Sequence, residues 1–129
     1  MTATRFTELV GCTVPMQQAG MGAVAPPELA AAVSEAGGLG MLGTARPGVT
    51  PATFADLLDK VRRLTNRAFG VNFIVSPLHL NGGLGRKPLN LELIEVAART
   101  AKVVEFSTVS RAVTWWTGCT KAVRWLAGR

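Results

Sequence analysis

A nearly bare turn follows the first apolar run of this chain. Residues 14–18, VPMQQ, run into Ala19-Gly20-Met21-Gly22. With no Cβ at Gly20 or Gly22, something flat and large could lie against the main chain there. Asn72, the polar exception in the apolar run FGVNFIV of residues 69–75, adds an amide able both to donate and to accept. From residue types alone the simpler reading is preferred: Gly20 and Gly22 make a tight turn and Asn72 caps a strand end. His79 is the only histidine. A base is conceivable there because imidazole titrates near neutrality, but no carboxylate is close in sequence and an ordinary loop residue is the preferred reading. Glu105 is a further candidate, with nothing pairing with it in its own motif. Gly38, Gly40 and Gly43 satisfy G-x-G-x-x-G. They follow a helical pattern and lie inside a strand, the reverse of a dinucleotide fingerprint, so they read as a helix stop and as close helix–strand packing. Residues 81–88, NGGLGRKP, lack P-loop spacing and carry Pro88 where Ser or Thr is needed; they read as a loop near the rim. Cys12 and Cys119 match no metal or redox spacing and read as reduced thiols. No catalytic residue and no metal site is predicted.

The elements that must position these groups alternate. Residues 14–18 form a short strand. Pro26 and Pro27 suit a first helical turn, after which Leu29, Ala32, Val33 and Ala36 recur at helical spacing until Gly37-Gly38 stops the helix. Residues 39–44 form a buried strand. Thr50 caps the next helix with Pro51 at its first position, Phe54, Leu57, Leu58, Val61 and Leu64 make its apolar stripe, and Lys60, Arg62 and Arg63 suit its C-terminal dipole. A third strand spans 69–75, and a loop rich in Pro, Asn and Gly runs from 76 to 88. A third helix turns Leu91, Ile94, Ala97 and Ala98 inward, and 103–106 begins a fourth strand. The order βαβαβαβ, with connections too long for hairpins, predicts parallel strands with right-handed crossovers. Two closures compete, an open doubly wound sheet and part of a (β/α)₈ barrel. A complete barrel needs about 250 residues, so this chain would supply about half.

Composition excludes several classes. The chain has 129 residues, 48% of them hydrophobic, which fits a globular domain. No apolar run reaches membrane-spanning length, the N-terminal MTATRFTELVG lacks the order of a signal peptide, and a cytoplasmic location is expected. The net charge of +6 is uneven: residues 1–106 hold ten basic and eight acidic side chains, and Arg111, Lys121, Arg124 and Arg129 supply the remaining four positive charges. A uniformly basic body of the kind that binds nucleic acid is therefore not what this sequence describes.

The stretches RFTELVGCTVPMQQAGMG, PPELAAAVSEAGGLGMLG and FGVNFIV, in this order and spacing, resemble the N-terminal half of the nitronate monooxygenase (2-nitropropane dioxygenase) family. The resemblance covers residues 5–106. It implies a (β/α)₈ TIM barrel, of which this chain would supply about the first four βα units, binding FMN at the C-terminal ends of its strands and oxidising alkyl nitronates with dioxygen. The positions that match the family's flavin-contacting turn are Gly20, Met21 and Gly22, with Gly20 in place of the usual Pro and Gly22 in place of the common Ala, which implies a looser turn. Asn72 matches a family Asn at the end of the third strand. With the resemblance added, the flavin reading of these four positions is preferred to the simple turn. The family's base is a histidine well past the halfway point, which His79 does not match, and the loops expected to hold the FMN phosphate come late in the barrel. A related flavin barrel is the alternative, such as an enoyl-acyl-carrier-protein reductase or a barrel like that of inosine-monophosphate dehydrogenase.

From Ser107 the composition changes. Residues 107–129 hold all three tryptophans, Cys119 and no acid. One allowed back-translation, read one base over, restores a strand end, an amphipathic helix and Gly-Gly before an apolar strand. The expectation is a barrel half over 1–106 and an anomalous tail over 107–129 arising from a frameshift after Phe106. Such a half barrel exposes sheet edges, which predicts self-association, weak or absent FMN binding and no turnover. The competing reading is a small basic protein whose Trp- and Arg-bearing tail stacks on single-stranded nucleic acid or inserts at a membrane.

Overall fold

A computed structural model describes residues 3–75, 90–108 and 112–116. The 76–88 loop with His79 and NGGLGRKP, and Cys119, lie outside the described residues. Helix α1 (Arg5–Val10) opens with a reciprocal capping box, Thr7 N donating to Thr4 Oγ1 at 3.2 Å and Thr4 N to Thr7 Oγ1 at 2.9 Å, and ends at Gly11 with φ 80°. The strand expected over 14–18 is reduced to one parallel bridge, Gln17 to Leu39. Gln18 N donates to Leu39 O at 2.9 Å. The Gln18 side chain then replaces the next rung, its Nε2 donating to Met41 O at 3.1 Å and its Oε1 accepting from Met41 N at 3.4 Å. The Met41 backbone groups are thus satisfied while the main chain leaves the sheet at Ala19.

Helix α2 (Pro27–Glu35) carries Pro in its first turn as expected, and strand β1 (Gly40–Gly43) follows Gly37, whose φ of 94° makes the stop. The buried side of α2 is Pro27, Ala30, Ala31 and Ser34, not the Leu29, Ala32 and Ala36 positions, which are exposed. Close approach decides this: a Cβ at Gly40 would lie 1.8 Å from Ala30 O, so only the small-residue side of the helix fits on β1. Helix α3 (Pro51–Leu64) is capped by Thr50, which accepts from Thr53 N at 3.2 Å, and buries Phe54, Leu58 and Val61; Leu64 is exposed. Arg62 does more than suit the helix dipole. It donates to Arg67 O at 3.1 Å and Thr100 O at 2.7 Å and lies 4.5 Å from the centroid of Phe69, stapling the end of α3 to the start of β2.

Strand β2 (Phe69–Val75) keeps its expected bounds. Helix α4 (Leu91–Thr100) is capped by Asn90 and buries Leu93 and Ala97, with Ile94 and Ala98 packed beside them; Leu91 faces solvent at 70% exposure because it sits in the first turn, ahead of the packed stripe. Strand β3 (Val103–Thr108) runs two residues past the expected Phe106 boundary. β1, β2 and β3 are parallel, with Gly43 level with Asn72 and Asn72 level with Glu105. Strand β4 (Ala112–Trp116) then pairs antiparallel to β3. Part of the stretch expected to stand outside the fold therefore lies in the sheet. An open strand edge pairs through backbone groups alone and asks little of the incoming sequence.

Alternation gives the sheet two faces. Phe69, Val71, Phe73, Val104 and Phe106 meet the helices, with Phe73 stacked on Phe106 at 5.6 Å and edge-on to Phe54 at 6.4 Å. On the other face, Leu39, Met41 and Val103 pack with Val10 and Phe6 of α1, which closes the N-terminal end. Above them the same face carries Gly43, Asn72, Glu105, Ile74 and Ser107.

Candidate functional site

The Gly20–Gly22 turn lies across this inner face. A Cβ at Gly20 would stand 2.3 Å from Asn72 Cβ; one at Gly43 would stand 2.3 Å from Gly22 N; one at Gly22, where φ is 55°, would stand 2.6 Å from Ala45 O. The structure thus brings Gly20, Met21, Gly22 and Asn72 together. It also gives both turn glycines an internal reason to be glycine, since each clears a neighbour in the same chain. Arg46 links the segment after the turn to the end of β1, Nε donating to Gly43 O at 3.1 Å and a terminal nitrogen to Ala25 O.

Asn72 is not at a strand end. It is the fourth of the seven residues of β2, level with the last residue of β1, and the residue is 3% exposed. Its amide does not offer both donor and acceptor to the turn: Nδ2 donates to Ser107 Oγ at 2.6 Å and to Glu105 Oε2 at 3.3 Å. Glu105, which has nothing pairing with it in its own motif, also accepts from Gln17 Nε2 at 3.1 Å. Its partners come from strands far away in sequence, so no local motif could reveal them. Gln17, Ser107 and Arg46 are likewise not singled out by sequence, and Gly43 reads there only as a packing glycine. Period-2 alternation from Glu105 is the one sequence signal for Ser107, and it becomes usable once the register is known.

Around the turn, donors remain. Among the described residues, the N–H groups of Ala19, Gly20 and Met21 make no hydrogen bond. Met21 and Ile74 leave apolar surface there, 43% and 47% exposed. Main-chain donors, a fixed amide oxygen and apolar side chains suit a planar heteroaromatic ring with a polar edge. Among the described residues no three His, Cys, Asp or Glu side chains cluster as a metal site, and no helix is long and apolar enough to cross a membrane. Cys12 is a free thiol away from this layer; burial pushes its pKa up, and its Sγ donates to Val14 O at 3.3 Å.

A family model described as nitronate monooxygenase matches residues 3–112. Similar curated proteins include (3aS,4S,5R,7aS)-5-hydroxy-7a-methyl-1-oxo-octahydro-1H-indene-4-carboxyl-CoA dehydrogenase of Rhodococcus jostii (strain RHA1), 45% identical over 69 residues, which are 54% of this chain and 19% of that protein. A probable nitronate monooxygenase of Staphylococcus aureus (strain JH9) is 39% identical over 71 residues, 55% of this chain and 19% of that protein. Among solved structures, FabK from Thermotoga maritima aligns with a TM-score of 0.66 and 34% identity over 82% of this chain and 30% of its own. Nitroalkane oxidase from Streptomyces ansochromogenes aligns with a TM-score of 0.58 and 27% identity over 80% of this chain and 35% of its own. The matches thus span about a fifth of these curated relatives and about a third of these structures. Both structures are TIM barrels, and the parallel sheet is a sector of that (β/α)₈ fold. Its inner face is the barrel lumen.

Proposed function

This chain belongs to the nitronate monooxygenase family of oxidoreductases, and from that premise we propose that it supplies the opening βα units of an FMN-dependent enzyme that oxidises small alkyl nitronates with dioxygen. Gly20, Met21, Gly22 and Asn72 contact the flavin ring. The observation that carries this is the bare turn seated on Asn72 at the lumen side, with the N–H groups of Ala19, Gly20 and Met21 left without acceptors among the described residues. When bound, FMN supplies the electron transfer between nitronate and dioxygen. The chain's own part is binding: the turn lets a ring approach main-chain donors, Asn72 Oδ1 accepts from it, and Met21 and Ile74 keep water from its apolar surface. No residue of this chain is assigned the proton transfer. The three parallel strands are a minority of a barrel wall, so the 129 residues expressed alone bind FMN weakly and turn over no nitronate. The location proposed is cytoplasmic.

Titrating the chain with FMN while following flavin fluorescence tests the site. Asn72→Ala and Gly20→Val should each weaken binding at least about tenfold, the order of one lost buried hydrogen bond or of a blocked approach. Equal affinity in wild type and both variants would remove the reading, and a soluble monomer that oxidises nitronates would overturn the proposed inactivity. A second reading is favoured by the FabK alignment and by the relative named as a CoA-ester dehydrogenase: a related flavin barrel acting on an acyl thioester. Nicotinamide-dependent turnover of an enoyl thioester by the protein, in place of nitronate oxidation, would select it.

A further inference from the structure

The Asn72 amide is anchored from one side. Its Nδ2 donates to Ser107 Oγ at 2.6 Å and Glu105 Oε2 at 3.3 Å, and Gln17 Nε2 donates to the same Glu105 oxygen at 3.1 Å. Carboxylate oxygens accept. An amide beside them must therefore turn its NH₂ toward them, since the flipped rotamer sets oxygen against oxygen. With Nδ2 held there, Oδ1 is left toward the turn, where a Cβ at Gly20 would come within 2.9 Å of it. Register makes this possible: Glu105 is level with Asn72 on the neighbouring strand and shares its face, while Gln17 reaches in from the bridge beside Leu39.

We propose that Glu105 is a positioning residue. It fixes the Asn72 amide so that an acceptor faces the glycine turn, and the position therefore takes a ligand N–H, of the imide or ring type that a flavin carries. The ligand half of this rests on the flavin reading; the orientation half does not. Glu105 itself touches no ligand, and Gln17 helps to hold its carboxylate in place.

The test uses the full chain, ¹⁵N-labelled, with FMN as the probe. Side-chain NH₂ exchange with water at Asn72 is expected to be slowed by at least about tenfold against an exposed asparagine, because Nδ2 is engaged. In Glu105→Ala that protection falls at least fivefold and FMN binding weakens about tenfold, with the backbone spectrum retained. Asn72→Asp sets two carboxylates together, lowers the thermal midpoint and abolishes FMN binding. Asn72→Asp combined with Glu105→Gln reverses the polarity: the introduced amide donates to the introduced carboxylate, whose second oxygen still faces the turn. This pair is expected to regain the midpoint and FMN affinity to within about threefold of wild type, which a purely space-filling role for Glu105 does not explain. If Glu105→Ala loses its fold, the comparison of the pair with Asn72→Asp decides. The proposal is overturned if Glu105→Ala leaves Asn72 exchange and FMN binding at wild-type values, or if the pair is no better than Asn72→Asp alone. Exchange that answers to Glu105 in a chain that never takes up FMN upholds the positioning and removes the flavin reading instead.

Discussion

At Gly20 a single hydrogen separates the turn from Asn72. A methyl group there would stand 2.3 Å from Asn72 Cβ, an atom fixed to the backbone of a central strand. Gly20→Ala is therefore expected to destabilise by about 1–3 kcal/mol, as overpacking does, and to displace the Asn72 amide, so that flavin affinity falls with stability. Thermal denaturation and FMN titration of the one variant check both. Cys12 makes the opposite kind of statement: burial raises its pKa, leaving less thiolate at a given pH. Alkylation by iodoacetamide near pH 8 is expected to run slower than that of a free thiol, and an equal or faster rate would contradict the packing of Cys12 beside α1.

Elements are set by how closely their backbones approach. Gly40→Ala puts a methyl 1.8 Å from the Ala30 carbonyl. Because α2 must then lift from β1, the cost is expected at or above the top of the range of about 1–3 kcal/mol. Gly11→Ala is the control. Its φ is 80° with nothing within 4 Å, so only the left-handed strain applies, about 1 kcal/mol. The difference between the two by urea denaturation measures helix–strand contact apart from backbone strain. At α3, Thr50→Ala removes the capping box and is expected to cost about 1 kcal/mol. The Lys60–Glu28 pair, 2.5 Å apart and half exposed, joins α3 to α2. Lys60 lowers the Glu28 pKa below its ordinary 4.5. A lowered carboxylate pKa means the contribution is present above the ordinary value and fades as pH falls through the lower folded one. The midpoint difference between wild type and Lys60→Ala should be small at neutral pH, shrink in high salt, and vanish at acid pH.

For the whole molecule the governing fact is that three parallel strands form a sector of a barrel, and the proposed site lies on its inner face. A closed barrel has no edges; a sector has them. β4 covers the outer edge of β3 in antiparallel sense, and the outer side of β1 is covered thinly by the opening segment, through the Gln17–Leu39 bridge and the Gln18 side chain on Met41. Self-association through that thin edge is expected, visible as concentration-dependent mass by sedimentation, and reduced by a chain that supplies further strands. The compositional change at 107–129 supports the proposal of a shifted reading frame. Nucleotide sequence through codon 107 should show a second frame encoding further βα units, and absence of such a frame would remove the proposal.

The sequence by itself determined what local chemistry controls. Thr50 with Pro51 marks the start of α3, Gly37 the end of α2, and the FGVNFIV run the bounds of β2, because caps, positive φ and side-chain period act within one segment. It also set Gly38, Gly40 and Gly43 aside as packing glycines, and Gly40 and Gly43 do clear Ala30 and Gly22. Only the tertiary structure decided which side of α2 is buried, that Leu91 is exposed, that the first strand shrinks to a bridge, and that Gln17, Asn72, Glu105 and Ser107 form one polar group. Gln17 and Glu105 stand 88 positions apart and Asn72 and Glu105 stand 33 apart. Their meeting depends on strand order and register, which follow from how whole elements pack, and no spacing along the chain encodes it.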